Sequence, residues 1–294
     1  MNSCAPVSVV MSAFQEGDSV AQTVASVQGA AVRPREIVLV DDGSTDGSCD
    51  RDWPPGVRVL HQDHVGIAAA RNLGARSARQ PVVVFLDAHC AVDDQWLAPL
   101  VAVLDREPDA LVGPAVRDHA DPRFVGCGAE IVDPLLAYRW RPVTGTGGEV
   151  GLVPGGCLAV VRDRFLAQGG FAPFTGHGLE DVELALRWWR LGRPLLGAAK
   201  SVVLHRFRSL APYPADHQAW LQNVLRTALL HLPSPYLRAS VMACSRLPSF
   251  PTAIATVLAE PWVPEHSRLL DIEARTVTAY VDRWAPRAFG RTDG

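Results

Sequence analysis

The chain has 294 residues, enough to bury a large core in one domain or in one domain with an appendage. Its 48% hydrophobic and 20% charged residues are ordinary for a globular protein and exclude a disordered or fibrous chain. A net charge of −3, with Lys200 the sole lysine, argues against generic nucleic-acid binding.

Short strands and helices alternate over residues 7–116. Val7–Met11 reads as a strand and Val20–Gln28 as a helix. A second strand, Ile37–Val40, ends in Asp41-Asp42-Gly43-Ser44, and a third follows at Val57–His61. Gly66–Ala78 is helical, with Ile67, Ala70, Gly74 and Ala78 at helix spacing. Val82–Leu86 is a continuous apolar run, the mark of a strand buried on both faces. Trp96–Leu104 is a helix and Ala110–Val116 a fifth strand. This rhythm predicts an α/β fold, a Rossmann-like, mainly parallel sheet with helices on both faces. Residues 119–151, rich in Gly, Pro and Arg, read as an insertion crossing a substrate cleft. Regular structure resumes with a strand at Gly156–Val161, a helix at Leu179–Leu191 and a strand within Leu195–Leu204. From Pro212 the chain reads as proline-broken helices. The expected division is one domain over 1–210, in parts 1–118 and 119–210, then a C-terminal helical appendage at 211–294.

The six cysteines, at 4, 49, 90, 127, 157 and 244, form no C-x-x-C pair, so free thiols in a reducing compartment are expected. No apolar run reaches membrane-spanning length, and MNSCAPVSVV carries no basic leader signal. The expectation is a cytoplasmic protein, with peripheral membrane contact through the C-terminal helices left open.

Ligands bind open α/β sheets beyond the C-terminal ends of the strands, so the strand ends carry the chemistry. The first strand leads into Met11-Ser12-Ala13-Phe14-Gln15-Glu16-Gly17-Asp18, a short polar loop without the G-x-G-x-x-G of dinucleotide folds. It suits a nucleobase edge. Asp42 at the second strand's end can accept the imide N–H of a uracil, or it can merely cap a turn. Arg71 follows Gly66-Ile67-Ala68-Ala69-Ala70, small residues that let a ligand approach, and a guanidinium there can pair with phosphate. The fourth strand delivers Asp87 and His89, a carboxylate and an imidazole suited to Mn²⁺. His205, ending Val202-Val203-Leu204, is a candidate third ligand. Gly155-Gly156 could bring backbone amides to a substrate. Glu180 and Asp181 open a helix, where the dipole alone favours acids, and Asp181 is a candidate general base. Trp188-Trp189 cannot both face one core, so one is expected beside the acceptor cleft.

Taken together, these segments resemble family 2 glycosyltransferases with a GT-A fold. The resemblance rests on Val7–Met11, Ile37–Asp46, Ala70-Arg71-Asn72 within Gly66–Gly74, Phe85–His89 and Glu180-Asp181, over about residues 5–208. That family usually carries D-x-D at the metal, whereas Asp87-Ala88-His89 with a later His205 resembles the polypeptide N-acetylgalactosaminyltransferases. Those enzymes retain anomeric configuration and lack an aspartate matching Asp181; the Glu-Asp pair resembles that of inverting family 2 enzymes. The resemblance implies a UDP-sugar donor and Mn²⁺ (or Mg²⁺) held by Asp87, His89 and His205. It implies donor contacts from Ser12, Glu16, Asp42, Arg71 and Asp87, with Glu180 and Asp181 catalytic. The acceptor would be a peptide, a glycan or a small molecule. The alternatives are a retaining polypeptide glycosyltransferase, a nucleotidyltransferase, or a non-catalytic nucleotide-sugar-binding module. A nucleotidyltransferase would need a basic glycine-rich first loop, and Ser12–Asp18 has no Arg or Lys. A binding module would lack a positioned base.

Overall fold

The computed structural model describes residues 3–121, 123–208, 212–214, 216–261 and 273–290. Strands β1 (Ser3–Ala13), β2 (Val32–Asp41), β3 (Val57–His61) and β4 (Val82–Leu86) pair in parallel in the order β3-β2-β1-β4. Helices α1 (Ser19–Gly29), α2 (Ile67–Ser77) and α3 (Leu97–Leu104) accompany them.

Side-chain alternation along these strands divides the core in two. Val9, Met11, Ile37, Leu39, Val84 and Leu86 pack with Val20 and Val24 of α1 and with Trp96 and Leu100. Their neighbours Val10, Val38, Val40, Val83 and Phe85 join the opposite cluster, with Ala70 of α2. Successive strand residues point to opposite faces, and here both faces are covered, which is why these strands read as unbroken apolar runs.

Beyond β4 the sheet changes character. Its path continues through β10 (Cys157–Val161), β6 (Leu111–Asp118), β11 (Leu195–His205) and β5 (Cys90–Val92). β10 runs antiparallel to both β4 and β6, and β5 antiparallel to β11, while β11 and β6 are parallel. The expected parallel arrangement therefore holds for the first half, and the whole sheet is mixed. The reason is the insertion, which returns the chain to the sheet from the opposite direction. The insertion is also not irregular. It contains β7 (Val125–Ile131), β8 (Tyr138–Pro142) and β9 (Gly147–Glu149), with β7 antiparallel to β6 and β8, and β9 to β11.

A short helix α4 (Arg162–Ala167) leads toward α5 (Glu180–Arg190), which is buried along its whole length. The later helices are α6 (His217–His231), α7 (Ser234–Cys244), α8 (Phe250–Leu258) and α9 (Val277–Trp284). α6 and α9 share the core of α5: Leu221, Val224, Tyr280 and Val281 lie in one cluster with Leu184 and Trp188. Residues 262–272 and 291–294 of the expected appendage lie outside the described residues. Among the described residues no helix is long and apolar enough to cross a membrane. All six cysteines are free, and only Cys4 is exposed.

Candidate active site

The ends of β1, β2, β4 and β11 and the start of α5 meet at two adjoining cavities of about 480 and 490 Å³. Glu16, Asp87, His89, His177, Tyr213 and Trp220 line both. Asp87 and His89 thus stand at the junction of two lobes, each large enough for part of a drug-sized ligand.

The donor-side lobe is walled by Ser12, Phe14, Asp42 and His64. His64 stacks on Phe14, with ring centroids 3.8 Å apart and planes 14° from parallel. Asp42 holds that ring in place: its Oδ2 lies 2.9 Å from His64 Nδ1 and accepts from the Gly66 amide at 2.9 Å. Its Oδ1 accepts from Gln62 Nε2 at 2.6 Å and from the Val65 amide at 3.1 Å. The expected uracil contact would have to compete with these four bonds. Asp42 spends its acceptor capacity on its own chain, tying β2 to the turn that starts α2.

Arg71 is likewise bonded within the chain. It lies buried on α2, with NH1 donating to Glu180 Oε1 and NH2 to Asp87 Oδ1, each at 2.8 Å. Its guanidinium thus joins the two carboxylates and fixes them relative to one another. Glu180 is thereby tied to Arg71, and its Oε2 is buried without a partner.

Asp87, His89 and His205 bring one ligand atom each to within 4.8 Å of one another. The strands explain this. β4 ends at Leu86 just before Asp87, and β11 ends in His205, paired with Cys90 of β5. His205 Nε2 lies 3.3 Å from Asp87 Oδ2. Burial alone would raise the Asp87 carboxyl, but His205, Arg71 and His89 hold it well below the usual range. The space beside these donors is kept by Gly156, where a Cβ would stand 2.9 Å from Asp87 Oδ2 and 3.6 Å from His205 Nε2. One carboxylate and two imidazoles with open room beside them fit Mn²⁺ better than Mg²⁺, which prefers oxygen.

The other lobe is lined by Tyr138, Trp140, Asp181 and Phe207. Asp181 Oδ1 accepts from the Val182 amide at 2.8 Å. Its Oδ2 accepts from the Gly155 amide at 2.9 Å and from the Tyr138 hydroxyl at 3.3 Å. Burial and the adjacent Glu180 charge push its carboxyl up to about 6. Gly155 thus contributes its amide to Asp181, not to a substrate. Tyr138 and Trp140 were not among the expected site residues, because β8 sits in the stretch read as irregular. The alternation Tyr138-Arg139-Trp140-Arg141 was the available signal. Trp188 and Trp189 are both buried, bonding Asp109 O and Thr276 O, so neither borders the cleft.

Residues 8–134 match the family model "Glycosyl transferase family 2". The chain is 30% identical over 219 residues to polypeptide N-acetylgalactosaminyltransferase 11 of Xenopus tropicalis, covering 66% of this chain and 36% of that protein. It is 31% identical over 235 residues to a putative polypeptide N-acetylgalactosaminyltransferase 13 of Drosophila melanogaster, covering 69% and 42%. The chain therefore spans less than half the length of these relatives. In fold it is similar to GalNAc-T7 solved with UDP, GalNAc and Mn²⁺, with a TM-score of 0.77 and 23% identity over 94% of this chain and 56% of that one. It is also similar to the mannosyltransferase PcManGT of Pyrobaculum calidifontis solved with GDP-Man and Mn²⁺, with a TM-score of 0.54 and 19% identity over 96% and 81%.

Proposed function

This chain belongs to glycosyl transferase family 2 and has the GT-A fold, and on that premise we propose that it transfers a sugar from a UDP-sugar to an acceptor hydroxyl with inversion. The observation that carries this reading is the Asp87, His89 and His205 cluster at the junction of the two lobes, with Asp181 in the acceptor-side lobe. UDP, GalNAc and Mn²⁺ bound in a structural neighbour support the same donor class. A bound divalent cation would supply Lewis-acid stabilisation of the charge developing on the departing diphosphate.

The chain's own residues do the rest. Ser12, Phe14 and His64 shape the nucleoside lobe, and Arg71 fixes Asp87 and Glu180 at once. Asp181 Oδ2 takes the acceptor's proton. The donor that must yield there is the Tyr138 hydroxyl, since the other donor to that oxygen is the Gly155 backbone amide. Tyr138, Trp140 and Phe207 offer aromatic faces to the acceptor, and Phe207 and Tyr138 are more than a third exposed. Polypeptide acceptors enter the proposal through the names of the relatives. Six unpaired thiols support a reducing, cytoplasmic location.

Release of UDP, measured with and without acceptor peptides and with Mn²⁺ or chelator, tests the reading. Acceptor- and Mn²⁺-dependent release is expected, strongly reduced by His89→Ala. Turnover indifferent to chelator defeats the metal site. Pyrophosphate in place of UDP points to nucleotidyl transfer, and binding without release points to a non-catalytic module.

A further inference from the structure

Of the three clustered residues, His89 is the one with a carboxylate behind its ring. Glu16 Oε1 lies 3.2 Å from His89 Nδ1. His205 differs: its Nε2 faces Asp87, and its Nδ1 is buried with no partner. Glu16 itself is nearly buried, and its second oxygen accepts from Arg208 at 2.7 Å.

The backbone that delivers Glu16 is unusual. Gln15 adopts φ +55, a left-handed conformation that costs a side-chain-bearing residue free energy. The loop after β2 holds it there. Ser44 Oγ accepts from the Gln15 amide at 3.2 Å, and Thr45 Oγ1 from Gln15 Nε2 at 2.9 Å. The Thr45 amide donates back to Gln15 Oε1 at 3.2 Å, and Asp46 Oδ2 accepts from the Gly17 amide at 2.8 Å. Glu16 is therefore clamped on both sides by Ser44-Thr45-Asp46.

We propose that Glu16 is a positioning residue for the metal centre, accepting from His89 Nδ1–H so that Nε2 is left unprotonated and aimed at the cation, with the Ser44-Thr45-Asp46 loop as the clamp that fixes it. This rests on the metal reading given above. The hydrogen bond made by one ring nitrogen decides which nitrogen is free to bind, and a carboxylate partner also makes the free nitrogen more basic. The segment after β2 then acts on the cation through the first loop, without touching the nucleotide. Glu16's two oxygens hold His89 and Arg208, while the residue lines both cavities.

Two measurements on the full chain test this. Mn²⁺ affinity, followed by electron paramagnetic resonance without nucleotide, should fall about 10–100-fold in Glu16→Ala. Glu16→Gln keeps an acceptor for His89 and should lose less than Glu16→Ala. Equal affinity in Glu16→Ala and wild type overturns the proposal, as does an equal loss in Glu16→Gln and Glu16→Ala. The second measurement needs no metal and covers the case in which Glu16→Ala does not fold. Long-range ¹H–¹⁵N spectra of the metal-free wild type at pH 8 should show His89 as the Nδ1–H tautomer, and an Nε2–H tautomer overturns the assignment. A wild type that binds no Mn²⁺ yet shows Nδ1–H defeats the metal reading alone.

Discussion

The donor-side half of the cleft and its acceptor-side half are assembled by opposite means. In the first, β1, β2 and β4 end side by side, and each strand carries its functional group just past its last apolar residue. Position follows from sheet register, so local sequence suffices. In the second, Tyr138 and Asp181 come from segments 43 residues apart, joined by a hydrogen bond, and Gly155 reaches Asp181 across 26 residues. Arg71 connects the halves, bonding Asp87 on one side and Glu180, 109 residues along the chain, on the other. The lesson is that strand ends in register place the groups of the first half, whereas the second half is placed by polar contacts between segments outside that register.

The acceptor side should show the largest effect. Asp181→Asn keeps the shape but removes the proton acceptor, so turnover should fall about 10²–10⁴-fold with UDP affinity little changed. Near-wild-type turnover, or a product of retained configuration by NMR, would reduce Asp181 to a clamp on Gly155. The pH profile sharpens this. A base pushed up to about 6 by burial and Glu180 must be ionised to work, so kcat/KM should rise with pH through about 6, and the rise should vanish in Asp181→Asn. The same upward shift opposes stability: the fold disfavours the charged form, so this group's contribution falls as pH rises from the ordinary aspartate range to about 6.

The link between the halves should come next. Arg71→Met leaves two carboxylates, buried Glu180 and largely buried Asp87, without their cation, a change that costs about 3–5 kcal/mol by denaturant titration. A loss within experimental error would mean that the halves hold their relative position without it. On the donor side, Asp42→Ala strips acceptors from the Val65 and Gly66 amides and frees His64 from its stack. Stability should drop by about 1–3 kcal/mol. Calorimetry should show UDP binding weakened through the displaced His64. A large loss of UDP affinity at unchanged stability would restore direct base recognition by Asp42. The smallest effect is expected from Tyr138→Phe. Losing that hydroxyl removes a donor to the charged form of Asp181, so the rising limb should move to higher pH by less than about one unit. No movement would mean that Tyr138 does not touch the working base.

Legibility in sequence followed the same divide. Asp87, His89 and His205 were readable as ligands because each follows an apolar strand, and the structure brings all three together. Asp42 and Arg71 were readable as candidate site residues, but their bonds within the chain were not. A carboxylate or guanidinium near a strand end looks the same whether it meets a ligand or its own chain, and only the placement of Gln62, His64 and Glu180 distinguishes the cases. Tyr138 was not legible. β7 carries Gly126 where a strand-former would be expected, yet a Cβ there would stand 2.9 Å from Trp140 Cβ, so the glycine is what lets β8 pack.

The sequence by itself determined the βα framework through Val116, the strand-end positions of the metal cluster and the helix that begins at Glu180, because apolar periodicity and strand termination are local properties. The tertiary structure alone decided the antiparallel entry of β10, the three strands of the insertion, the Glu16 support behind His89 and the Arg71 bridge. Each of these depends on which groups meet across tens of residues of chain, and a carboxylate's or guanidinium's role is set by the partner that desolvation forces it to find.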